Sequence, residues 1–162
     1  MKHVGLILFF TSLLLVVGWN VSSNNSNETF ATDIEYTDGT LMFKGGEIQV
    51  ALAETNLERQ TGLSRQRTIG ENEGLLFIFN ESAEQRIWMR DMYFPIDIIW
   101  LDDDFEIVDI KKNATPESFR SVRDREVFTP RMPARYVLEA RSGFAGTHNL
   151  VTGDTFSLTR RR

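Results

Sequence analysis

The chain has 162 residues, 41% of them hydrophobic and 25% charged, with a net charge of -5. That is ordinary globular composition for one domain with a full core, and it carries no broad basic face for nucleic acid. With no cysteine and only His3 and His148, disulfides, thiol nucleophiles and thiolate metal sites are excluded, and a His-based zinc site or a Ser-His-Asp triad has no support. No metal and no cofactor is expected.

Val4 to Val17 is an unbroken run of apolar and small residues behind Lys2. A membrane span needs about 20 such residues, so the run suits a signal-peptide core. Residues 1–23 therefore read as a signal peptide, or as a short anchor over residues 4–21. Lys2 favours an N-terminus held in the cytoplasm. The folded part is then expected outside the cytoplasm: secreted, periplasmic, or tethered to the membrane by that segment. Residues 24–39 form a polar linker rich in Asn and Ser with little to bury. Residues 40–159 form the domain, and 160–162 a basic tail.

Within the domain, Leu41–Lys44 and Glu47–Ala53 flank Gly45-Gly46 and read as a hairpin. Thr55-x-x-Glu58 is a capping box for a short helix that Gly62 stops, with Leu57 and Leu63 expected to pin it to the sheet. Leu75–Phe79 is a continuous apolar run, as a central strand requires. Asn80–Gln85 reads as a polar turn, followed by strands at Arg86–Met92, Ile96–Leu101 and Phe105–Lys111. Asp102-Asp103-Asp104 reads as a hairpin turn, because the Gly and distal Glu of a calcium-binding EF-hand loop are missing. Asn113 to Pro133 is long, charged and aperiodic, and reads either as a flap or as a solvated excursion. A strand is expected at Ala134–Arg141, a short helix at Ser142–Asn149 with Ser142 as N-cap, and a closing strand at Thr155–Leu158. The fold class is mainly β (α+β): one compact antiparallel or mixed β-barrel-like or folded-sheet domain with two short helices.

The blocks Thr55-x-x-Glu58-x-x-x-Gly62-Leu63, Glu73-Gly-Leu-Leu-Phe77, Trp88-Met-Arg-Asp-Met92-x-x-Pro95-Ile-Asp97, Ala134-Arg-Tyr-Val-Leu-Glu139 and Gly153-Asp154 resemble the domain of unknown function 192 family, in that family's order. The resemblance implies a small, mainly β domain, often behind a signal peptide or membrane segment, and brings no established chemistry. Two departures stand out. The family often has Lys-Asn where this chain has Arg90-Asp91, and some members carry a cysteine pair in the long loop.

The apolar stretch from Arg86 to Asp102 holds Asp91 and Asp97 where a plain core strand would carry Val or Leu. A carboxylate among apolar neighbours is costly unless paired or hydrogen-bonded. On a strand from Arg86, Ile87, Met89 and Asp91 would share one face, and Trp88 and Arg90 the other. Two readings of Asp97 remain: a latch that accepts backbone N–H bonds and pairs with an Arg, or part of a ligand site with Trp88, Arg90 and Asp91. Glu139 reads either as a solvent-facing ion-pair partner or as a further member of that site. An aromatic face with guanidinium and carboxylate groups suits a carbohydrate or a peptide-like ligand. The functional expectation is a non-catalytic extracytoplasmic binding or accessory domain of the cell envelope, with a small ligand or an envelope protein as partner. The alternative is a carboxylate-dependent hydrolase using Asp91 and Asp97, whose carboxyls would have to stand about 5–10 Å apart.

Overall fold

The computed structural model of the protein describes residues 36–64 and 66–161. The expected leader at 1–23, most of the expected linker and Arg162 lie outside those residues. Strand β1 (Thr37–Phe43) begins three residues ahead of the expected domain start and pairs antiparallel with β2 (Gly46–Ala53), as the Gly-Gly turn predicts.

Helix α1 (Asn56–Thr61) has the predicted capping box: Thr55 Oγ1 accepts from the Glu58 N–H, and the Glu58 carboxylate accepts from the Thr55 N–H at 2.8 Å. Leu63 is buried behind the helix as expected, but Leu57 is 63% exposed and pins nothing. The helix has no buried residue of its own. It is held by its caps and by Arg59, whose Nη1 donates to the carbonyls of Glu54 and Ile78.

A parallel neighbour requires a crossover, which α1 supplies between β2 and β3 (Glu73–Ala83). β3 continues past the expected turn at Asn80, because Ala83 still pairs with Ala134 beyond an irregularity after Ile78. The remaining strands are β4 (Ile96–Leu101), β5 (Ile107–Ala114), β6 (Ala134–Arg141) and β7 (Phe156–Arg160). They form one seven-stranded mixed sheet in the order β5-β4-β6-β3-β2-β1-β7. The sheet folds over without closing. Its outer ends meet at the single bridge Glu106↔Thr155, where the Ile107 N–H donates to the Asp154 carbonyl at 2.8 Å. The folded-sheet form of the expectation is the one realised.

Apolar residues pack on both faces. Leu41, Ile48, Ile99, Leu138 and Phe144 belong to one cluster; Leu75, Phe77, Ile98, Trp100 and Val137 belong to the other. Gly74 lets the central strands approach, because a Cβ there would lie 2.7 Å from the Glu139 carbonyl oxygen. Helix α2 (Phe144–Thr147) starts one residue later than predicted, with Gly143 as N-cap at φ 95, a conformation glycine adopts freely. Ser142 is instead drawn away, its hydroxyl donating to Asn113 Oδ1 at 3.0 Å.

The predicted strand at Arg86–Met92 does not form. Ile87 makes one bridge to Phe128, and the chain then turns. Asp91 sits at φ 56, a left-handed conformation that ends strand alternation and that Asp and Asn adopt more readily than most residues. Ile87, Met89 and Met92 are buried, whereas Trp88 is 46% exposed. The long loop is solvated at residues 120–124 and anchored on both sides of them. Phe128 is buried, Phe119 packs on the same cluster, and Arg131 pairs with Asp109 at 2.9 Å.

Candidate functional site

Asp97 and Glu139 are buried carboxyls on neighbouring strands, and the pairing separates them. Asp97 lies opposite Ala140 in the β4–β6 register, and Ile98 lies opposite Glu139. Side chains alternate across a sheet, so Asp97 faces the Ile99 and Leu138 side while Glu139 faces the Ile98 and Val137 side.

Asp97 is fully buried and saturated. Its Oδ1 accepts from the Asn113 N–H at 2.9 Å, and its Oδ2 accepts from Gly143 and Ala145 at 3.2 and 3.0 Å. One side chain thereby ties the end of β5 and the start of α2 to β4. This is the latch arrangement, made with three backbone donors and without the arginine that the sequence suggested. Asp91 lies in the exposed turn, paired with Arg90 at 3.3 Å. The two aspartates are therefore not brought together as a hydrolase pair.

Glu139 has the opposite environment. It is 5% exposed, and its Oε2 has no hydrogen-bond partner among the described residues. Of its two expected readings, the solvent-facing ion-pair partner is not realised. Glu139 lines a cavity of about 550 Å³, a size typical of small-molecule sites. Helix α1 contributes Asn56, Arg59 and Gln60, and β3 contributes Phe77 and Phe79. The turning segment after β3 contributes Arg86, Trp88, Arg90 and Met92. The hydroxyl of Ser64 donates to the Arg90 carbonyl at 3.3 Å and joins the two walls.

Of the five residues expected at a site, the structure brings Trp88, Arg90 and Glu139 to one cavity. Asp91 stands beside Arg90 in the turn, and Asp97 lies across the sheet. Sequence reasoning missed Arg59, Phe77 and Phe79. Arg59 sits in the last turn of the capped helix, with its guanidinium 5.3 Å from the Phe79 ring centroid. Its position beside a short apolar strand was the available signal. The long loop reaches the site at Ile87, which bridges to Phe128, and at Trp88, whose ring centroid lies 5.3 Å from the Arg125 guanidinium.

Burial pushes the Glu139 carboxyl up to about 8, because the charged form loses its hydration and no partner replaces it. At neutral pH it is largely protonated. Tyr36, whose hydroxyl donates to the Glu58 and Gly62 carbonyls at 3.5 and 3.4 Å, is pushed up to about 12. Burial is the main cause there, followed by the charges of Glu58 and Glu139. The arginine pairs at the cavity mouth are exposed: Arg86 with Glu84 at 3.2 Å and Arg90 with Asp91 at 3.3 Å. Exposed pairs of this kind contribute under about 1 kcal/mol, so a ligand can displace them cheaply.

These features define a small, mainly β domain: a folded mixed sheet, latched on one face and hollowed into a cavity on the other. The chain belongs to the DUF192 family, described as "Uncharacterized ACR", whose family model matches residues 40–158. It is 31% identical over 113 residues to a UPF0127 protein of Thermococcus kodakarensis, covering 68% of this chain and 65% of that one. A UPF0127 protein of Thermococcus gammatolerans is 32% identical over 110 residues, covering 67% of this chain and 65% of that one. The chain thus spans just under two thirds of these relatives' length. A solved protein of unknown function from Novosphingobium aromaticivorans shares the fold at TM-score 0.66 and 26% identity, covering 78% of this chain and 88% of that one. A solved Sinorhizobium meliloti protein, described provisionally as a transcription regulator, is similar at TM-score 0.67 and 28% identity, covering 80% of this chain and 98% of that one.

Proposed function

We propose that the chain is a non-catalytic binding domain of the cell envelope, exported or tethered by its N-terminal apolar run. It takes a small carbohydrate or peptide-like ligand in the cavity lined by Glu139. The observation that carries this reading is Glu139 itself, a cavity-lining residue whose buried carboxyl has an oxygen with no partner among the described residues. Such a group costs stability unless something pairs with it, and nothing among the described residues does. A ligand donor would remove that cost. Trp88 and Arg90 at the mouth supply stacking and charge-assisted hydrogen bonds.

The location rests on Lys2 followed by the apolar stretch Val4 to Val17. Catalysis by paired acids is disfavoured, because Asp97 is saturated and Glu139 is the only carboxylate among the cavity-lining described residues. The net charge of -5 disfavours a nucleic-acid role.

The test is a thermal-shift screen of the full chain in mild detergent against oligosaccharides, peptidoglycan fragments and short peptides. Arg90→Ala and Trp88→Ala variants are run beside it. A compound that stabilises the parent protein and neither variant supports the reading. One that stabilises all three equally, or a blank screen, overturns it. Protease treatment of intact cells carrying the tagged chain tests the location, which a fully protected domain would overturn.

A further inference from the structure

Resting on that reading, we infer that the ligand presents a primary ammonium group to Glu139 and an anionic group to the arginines at the mouth. A short peptide with a free N-terminus does both. The cavity lining holds three kinds of group. Glu139 is an acid with no ion-pair partner among the described residues. Phe77, Phe79 and Met92 give an apolar part. Arg59, Arg86 and Arg90 supply guanidinium groups, beside the neutral polar side chains of Asn56, Gln60 and Ser64.

Arg59 does not neutralise the acid. Its Nη atoms donate to the Glu54 and Ile78 carbonyls and to Asn56 Oδ1. Arg86 and Arg90 pair with the exposed Glu84 and Asp91. The complement of an unpaired acid, apolar side chains and guanidinium groups is an ammonium, an apolar body and a carboxylate.

Proton balance gives this inference its own signature. Burial holds the empty Glu139 at about 8, so at pH 6.5 it carries a proton. An ammonium favours the carboxylate, and the displaced proton leaves to buffer. Tyr36, which feels the Glu139 charge, is held at about 12 and does not titrate near that pH. The charged side chains that line the cavity with Glu139 are Arg59, Arg86 and Arg90. The proton costs roughly a factor of ten in affinity per pH unit below 8, so binding strengthens as pH rises from 6 to 7.

The test uses three probes on the full chain in detergent at pH 6.5: alanyl-phenylalanine, its N-acetylated form, and the disaccharide chitobiose. Titration calorimetry in two buffers of different ionisation enthalpy counts protons. The expected result is binding of the free dipeptide with close to one proton released, and at least tenfold weaker binding of the acetylated form. Glu139→Gln should abolish the proton release and most of the affinity. If that variant fails to fold, the comparison of free and acetylated dipeptide on the parent protein still decides. Binding of the acetylated dipeptide or of chitobiose equal to that of the free dipeptide, without proton release and lost in Arg90→Ala, would overturn the ammonium inference and leave the binding reading standing. Silence from all three probes also overturns it, and the binding reading then falls only if the wider screen is blank too.

Discussion

Replacing Asp97 by Asn removes one charge and changes no volume, so the cost can be worked from three hydrogen bonds. The amide oxygen can keep the Gly143 and Ala145 donors, at 3.2 and 3.0 Å. The amide NH₂ then faces the Asn113 N–H, which now donates to the carboxylate at 2.9 Å. That bond is lost and a buried donor is left unpaired, which costs about 1–3 kcal/mol. The two remaining bonds lose their charge assistance, at about 1 kcal/mol each. An amide is easier to desolvate than a carboxylate, and this offsets part of the loss. The net destabilisation is about 2–4 kcal/mol. For a domain of this size, 1 kcal/mol moves Tm by about 3–5 °C, so Asp97→Asn should melt roughly 10 °C lower. The assay is thermal and urea unfolding of the full chain in detergent, followed by circular dichroism. Asp91→Asn is the control; it changes an exposed pair and should stay within about 0.5 kcal/mol of the parent protein. An Asp97→Asn protein that melts within about 3 °C of the parent would refute the latch.

Glu139 should make stability fall with rising pH. Its carboxyl is raised from 4.5 to about 8, so between those values the folded state holds a proton that the unfolded state has lost. The stability present below the unfolded value is lost as pH climbs to about 8. Glu139→Gln should flatten that slope in urea titrations and add roughly 2–4 kcal/mol at pH 8.5; an unaltered slope would place the titration elsewhere. Gly74→Ala should cost about 1–3 kcal/mol, since its Cβ would stand 2.7 Å from the Glu139 carbonyl oxygen. A wild-type Tm would show that the strands can part there. Trp88→Ala and Arg90→Ala should leave Tm within a few degrees, because both side chains lie at the surface, and should lose the stabilisation given by any cavity ligand.

What was legible in the sequence was whatever rests on local chemistry. The Thr55 capping box, the Gly45-Gly46 hairpin and the all-apolar Leu75–Phe79 run each specify their element from a few adjacent residues, and all three stand in the fold. Arg86–Met92 deceived because its buried residues, Ile87, Met89 and Met92, mimic strand alternation over the first three positions. The turn is made by the left-handed Asp91, and Asp reads as an ordinary strand interruption until its φ is known. Asp97 was recognisable as a group needing partners. That those partners are N–H groups from positions 113, 143 and 145 depends on long-range pairing, which no local pattern encodes. Arg59 and Phe79 were invisible as site residues for the same reason. The cavity exists only after α1 crosses over β3 and the 86–92 segment folds against it.

The contrast between Asp97 and Glu139 shows how one sheet carries two roles. In register they are one step apart, Asp97 opposite Ala140 and Ile98 opposite Glu139. Each is buried, and each would carry the same desolvation cost if left alone. Facing α2, Asp97 meets a cluster of free backbone donors at a helix start, and its charge is used to hold three segments together. Facing α1, Glu139 meets phenyl rings and carbonyl-committed arginine, and its charge is suppressed instead. A shift of one residue in the β4–β6 pairing would exchange the faces of one strand relative to the other and leave both carboxyls without their present surroundings. The register is therefore as much a part of the site as the side chains. Gly74, which lets β3 approach β6 beside Glu139, belongs to the cavity although it does not line it.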